Sequence, residues 1–113
     1  MVNFRSLFAC RCRRPPFHFG DYRTDALGED AHGAEIALST CKRCVTVWLE
    51  YRIEMPHHSR AGRWWRVEVK TEHRREITAA TARAFVERQR AGFAGGSFFD
   101  SSGHAVSAPI RIV

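Results

Sequence analysis

The stretch Cys41–Met55 (CKRCVTVWLEYRIEM) joins a close pair of cysteines to a run of alternating side chains. Val45, Val47, Leu49, Tyr51, Ile53 and Met55 fall on one side, and Thr46, Trp48, Glu50, Arg52 and Glu54 on the other. Successive side chains of a strand point to opposite faces, so this period of two predicts a half-buried strand. Pro56-His57-His58-Ser59-Arg60-Ala61-Gly62 then supplies turn formers, after which Trp65, Val67 and Val69 alternate with Trp64, Arg66, Glu68 and Lys70. Two alternating runs around a turn predict an antiparallel hairpin over residues 45–70.

The cysteine pair has a counterpart upstream in Cys10-Arg11-Cys12, with 28 residues between Cys12 and Cys41. A structural zinc site takes four thiolates at about 2.3 Å, supplied by two short chelating loops. In CKRC the two intervening residues let the chain turn so that both sulfurs converge. The shorter CRC presents both sulfurs on one side of an extended or tightly turned segment. The expected ligands are therefore Cys10, Cys12, Cys41 and Cys44. Two disulfides or four buried thiols are the competing readings.

Compartment weighs on that choice. Asn3, Arg5 and Ser6 interrupt the apolar positions of Met1 to Ala9, which does not make a signal-peptide core, and no run reaches transmembrane length. A reducing cytoplasm is the expected location, where clustered cysteines serve metals more often than disulfides. His18, His32, His57, His58, His73 and His104 are alternative ligands, His18 being nearest the first pair. A histidine in a small basic domain is more often a surface or hydrogen-bonded residue, so the all-cysteine set is preferred.

Length and the remaining pattern predict one α+β domain spanning 1–113, a small antiparallel sheet with one main helix packed on it. Of its 113 residues, 44% are hydrophobic, enough for one modest core that does not depend on metal alone. Residues 1–44, with both cysteine pairs, Pro15-Pro16 and many turn formers, read as a metal-bearing segment that is irregular or composed of short strands. Residues 77–92 read as the helix, with Thr78 as N-cap, Ala79, Ala82, Phe85, Val86 and Gln89 near helical spacing, and Gly92 as its stop. In residues 93–113, Phe98-Phe99 is a candidate buried anchor. Asp100-Ser101-Ser102-Gly103 leads into a final strand from Ala105 to Val113, placed at an edge by Pro109.

Where CKRC runs directly into VTVWLEY, the chain resembles a zinc ribbon over about residues Cys10 to Lys70. The resemblance implies that Cys10, Cys12, Cys41 and Cys44 bind metal at the ends of short hairpins. Ribbons often place glycine after the second cysteine of a pair, whereas this chain has Val45. They serve nucleic-acid binding, enzyme subdomains and pure interaction modules alike, so the resemblance assigns an architecture and no single task.

The 18 Lys and Arg against 12 Asp and Glu give a net charge of +6, a balance that favours polyanions. The charge is patchy, because an acidic insert with Asp21, Asp25, Glu29, Asp30 and Glu35 separates basic stretches. On the outer face of the expected hairpin, Trp48, Arg52, Trp64, Arg66 and Lys70 form a candidate binding surface whose composition suits stacking on single-stranded bases. The alternative is that the amino-terminal segment or a subunit partner covers this face, since large aromatics ordinarily pack against something. Arg11, Arg13, Arg14, Lys42 and Arg43 crowd the cysteines in sequence, where they would offset thiolate charge.

No pattern indicates catalysis. Four thiolates leave zinc no open position for water or substrate, and His57-His58-Ser59 reads as an exposed turn. The expected role is binding, to a protein partner or a second copy of the chain through the terminal edge near Ile110 to Val113, with nucleic acid as the alternative and no membrane contact.

Overall fold

A computed structural model describes residues 10–53, 62–96 and 102–112. Six strands follow one another in a single antiparallel sheet, each paired with its sequence neighbour: β1 (Tyr22–Glu29), β2 (Glu35–Cys41), β3 (Val47–Ile53), β4 (Arg63–Val69), β5 (Ala91–Gly96) and β6 (His104–Ser107). One helix, α1 (Ala82–Arg88), packs on β3 and β4. The class is α+β, as expected. Among the described residues no helix is long and apolar enough to cross a membrane.

The alternation read from the sequence places the main core. Leu49 and Tyr51 of β3, with Val67, Val69 and Trp65 of β4, are buried with Ile36 and Leu38 of β2 against Ala82, Phe85 and Val86 of α1. Burying each such side chain stabilises by about 1.5–3 kcal/mol, so α1 is held by this face more than by its own two turns of backbone bonding. Strand β3 begins two residues later than predicted. Val45 does not join the apolar side but sits exposed in the preceding turn with φ +58°.

Of the two readings of the amino-terminal third, short strands describe residues 22–41, which make a complete hairpin. Asp30 organises its turn: Oδ1 accepts from the N–H groups of His32 and Ala34, and Gly33 takes φ +78°. The other carboxylate oxygen accepts the hydroxyl of Tyr51, tying the turn to the core. Residues 23–26 of β1 are all exposed, as befits an edge strand, and a register shift between Ala26 and Gly28 breaks the regular edge.

The helix is shorter than residues 77–92. Thr78 and Thr81 cap each other, each Oγ1 accepting the other's backbone N–H, and the Ala82 N–H reaches the Thr78 carbonyl at 3.1 Å. These bonds close the turn that precedes α1, whose N-cap is Thr81, three residues after the expected cap at Thr78. The helix ends at Arg88, and Gly92 belongs to β5 instead of stopping the helix. A Cβ there would lie 2.7 Å from the Arg66 carbonyl oxygen and 2.8 Å from a Val67 methyl, so β5 passes too close to β4 for any side chain.

Strand β6 ends at Ser107, short of Pro109. Ile110 and Ile112 then turn inward and bury against the main core, which overturns their reading as a free edge. Arg83 donates to the Ile112 carbonyl at 2.9 Å, and the Ile112 N–H donates to Glu87 at 3.2 Å. Met1 to Ala9, Met55, the His57-His58-Ser59 turn, Phe98-Phe99 and Val113 lie outside the described residues.

Candidate metal centre

The two cysteine pairs meet on the sheet face opposite α1. Cys10 caps a single 3-10 turn (Arg11–Arg13) that carries Cys12 at its centre, and the Arg13 N–H donates to the Cys10 carbonyl at 3.0 Å. Cys41 is the last residue of β2, and Cys44 lies in the turn before β3. That turn closes through Val45 N–H to Cys41 O at 2.9 Å and Cys41 N–H to Thr46 O at 2.8 Å. The closure requires left-handed backbone at Val45, the position where ribbons often have glycine. For a β-branched residue that conformation costs about 1–2 kcal/mol.

The four sulfurs all lie within 4.8 Å of one another, with 3.7 Å between Cys10 and Cys41 and 3.4 Å between Cys12 and Cys44. A tetrahedron with metal–sulfur bonds of about 2.3 Å has edges of about 3.8 Å, while a disulfide needs about 2.05 Å. The spacing is that of ligands converging on one point, and the group can hold a metal ion. Cys12 and Cys41 are fully buried, and Cys10 and Cys44 half-buried. No histidine belongs to the group among the described residues.

Surroundings decide which thiols ionise readily. Burial pushes the thiols of Cys10 and Cys12 up. At Cys44 burial also pushes up, but hydrogen bonding with the Thr46 side chain and backbone, and then with the Cys12 and Cys10 sulfurs, prevails and brings the thiol to about 7. The Arg43 N–H points at Cys41 Sγ from 3.4 Å. These donors are what an anionic sulfur cluster requires from its neighbours.

The basic residues near the cysteines act largely through carboxylates. Arg11 grips both oxygens of Asp21, which holds that carboxyl below its ordinary value, and Arg43 lies 3.9 Å from the same group. Arg13 spans to Glu68 on β4 through two bonds of 2.9 and 3.3 Å and to Thr46 at 3.4 Å. The Lys42 N–H reaches the Asp21 carbonyl at 2.8 Å. Each cysteine loop is therefore braced to the chain that faces it.

The candidate binding surface is only partly brought together. Trp48 is 3% exposed, packed with Cys12, Tyr22 and Cys41, so it is a wall of the metal centre and no stacking platform. Arg66 is 2% exposed, its guanidinium 4.4 Å from the Phe17 ring, 4.3 Å from Tyr22 and 5.2 Å from Trp48. The amino-terminal segment covers this part of the face, which was the alternative to solvent exposure. Arg52 and Trp64 line a neighbouring cleft together with Arg66, whereas Lys70 lies beyond β4 and does not.

Tyr22, Phe17, Asp21 and Glu68 were not among the expected site residues. A signal for Tyr22 existed in the alternation Tyr22, Thr24, Ala26, which sets it directly opposite Cys41 in the β1–β2 register. Compared with known proteins, the chain matches no family model, no curated protein and no solved structure.

Proposed function

We propose that this is a zinc-stapled binding module of the cytoplasm. One structural zinc, held by Cys10, Cys12, Cys41 and Cys44, fastens the amino-terminal segment across the sheet, and the assembled surface engages a protein partner or a second copy of the chain. The observation that carries this reading is the convergence of four sulfurs from two distant pairs within 4.8 Å. Four thiolates in tetrahedral array suit zinc, and they fill its coordination, so the ion contributes folding energy and no chemistry. Phe19, 88% exposed, and Val45, 74% exposed, place apolar side chains on the two stretches bonded through Lys42 and Asp21. The burial of Trp48 and Arg66 favours a protein partner over nucleic acid.

Elemental analysis of the purified protein should find about one zinc per chain, and Cys41→Ser should lose it. A parent protein that carries no zinc and takes up none overturns the metal assignment. Sedimentation over a range of concentrations tests self-association, and a salt titration with single-stranded DNA tests the rival ligand. Tryptophan quenching by DNA that vanishes steeply as salt rises would transfer the role to nucleic acid.

A further inference from the structure

Beside the metal centre the same sheet face is hollow. A cleft of about 490 Å³ opens there, with Ala37, Glu50 and Arg66 on its floor and Phe17, Tyr22 and Trp64 on its walls. That volume falls in the range of about 300–1,000 Å³ used for small-molecule ligands.

Arg66 is the unusual element. Nη1 donates to Glu50, while Nε and Nη2 are buried and have no hydrogen-bond partner. A guanidinium offers N–H donors and no acceptor, so its unmet capacity consists entirely of donors. Tyr22 Oη is likewise buried and unpartnered. The ring of Tyr22 at 4.3 Å holds the guanidinium orientation in advance, and the ring of Phe17 at 4.4 Å covers it.

The floor is balanced in formal charge. Glu50 pairs with Arg66, and Glu35 is the direct cross-strand partner of Arg52. A neutral cleft does not suit a polyanion, which is drawn by accumulated positive charge. Unmet donors in an aromatic-walled hollow call for an apolar body bearing one acceptor group.

We propose that this cleft binds a small planar carboxylate, free or as the carboxyl end of an aromatic peptide, whose two oxygens take the Nε–Nη2 edge of Arg66 as a paired hydrogen bond. The apolar body lies along Trp64. The Phe17 ring turns aside to admit the carboxylate, and it sits in a stretch, residues 14–18, that belongs to no helix or strand. This site does not depend on which metal the cysteines hold.

The test uses the metal-loaded full chain with benzoate, its uncharged isostere benzamide, and a tetrapeptide ending in a free phenylalanine carboxylate. Benzoate or the peptide should bind at least tenfold more tightly than benzamide and displace the Arg66 Nε–H resonance; whichever of the two binds tighter identifies the source. Arg66→Lys, which keeps the charge and loses the fork, should weaken binding tenfold or more. Ala37→Trp fills the floor beside Glu50, its cross-strand neighbour, while keeping both members of the Arg66–Glu50 pair, and should abolish binding, which decides the matter if Arg66→Lys fails to fold. Equal affinity for benzoate and benzamide, no binding of either carboxylate at millimolar concentration, or binding that survives Ala37→Trp overturns the proposal.

Discussion

The indole of Trp48 packs with Cys12 in one buried cluster. Trp48 therefore reports on the metal centre from inside. Removing the ion with a chelator should shift tryptophan emission to the red as the Cys10–Cys12 loop lifts from β3, and adding zinc back should reverse the shift. Trp48→Phe should abolish most of this response while keeping zinc. Trp48→Ala should cost about 3–5 kcal/mol in a denaturant titration, the usual cost of removing a buried tryptophan. An emission spectrum indifferent to chelator would separate Trp48 from the centre.

Val45 carries left-handed backbone strain without any compensating burial. Val45→Gly relieves about 1–2 kcal/mol of strain and adds about 0.5–1 kcal/mol of unfolded-state entropy. The net expectation is a gain of up to about 1 kcal/mol, read as a higher urea midpoint of the metal-loaded protein. A lower midpoint would mean that Val45 makes a stabilising contact in solution.

Asp21 links pH to stability. Arg11 lowers its folded value beneath the unfolded one of about 3.9. The resulting stabilisation is full above the unfolded value and is lost as pH falls through the lower folded value. Asp21→Asn should therefore melt below the parent at pH 7, and the gap between the two should close in the acid range beneath about pH 4. Because both proteins carry the same cysteines, acid release of metal affects them alike, and a gap that stays constant with pH would refute the linkage.

What the sequence made legible was set by local contrast. Leu49, Tyr51, Val67 and Val69 alternate with polar neighbours along strands that have one strongly buried face, and they occupy the core as expected. The convergence of Cys10, Cys12, Cys41 and Cys44 was legible because metal chelation constrains residue type and spacing together. Strand β1 was legible only in the alternation of Tyr22, Thr24 and Ala26 with Arg23 and Asp25, because its edge position leaves residues 23–26 exposed and without burial contrast. The helix was read too long because Gly92 looked like a stop, when its lack of a side chain serves the close passage of β5 over β4. Arg66 looked solvent-facing because its cover, Phe17 and Tyr22, comes from far earlier in the chain, where a local pattern has no reach.

Tyr22 touches both halves of this face. It packs with Cys12 and Cys41 on one side and lies 4.3 Å from the Arg66 guanidinium on the other. If an occupant of one site shifts a wall that it shares with the other, the two sites are thermodynamically coupled, and such coupling is reciprocal. Any occupant of the hollow that prefers the ring where the ion-bound sulfurs hold it must tighten the grip on the ion by the same factor.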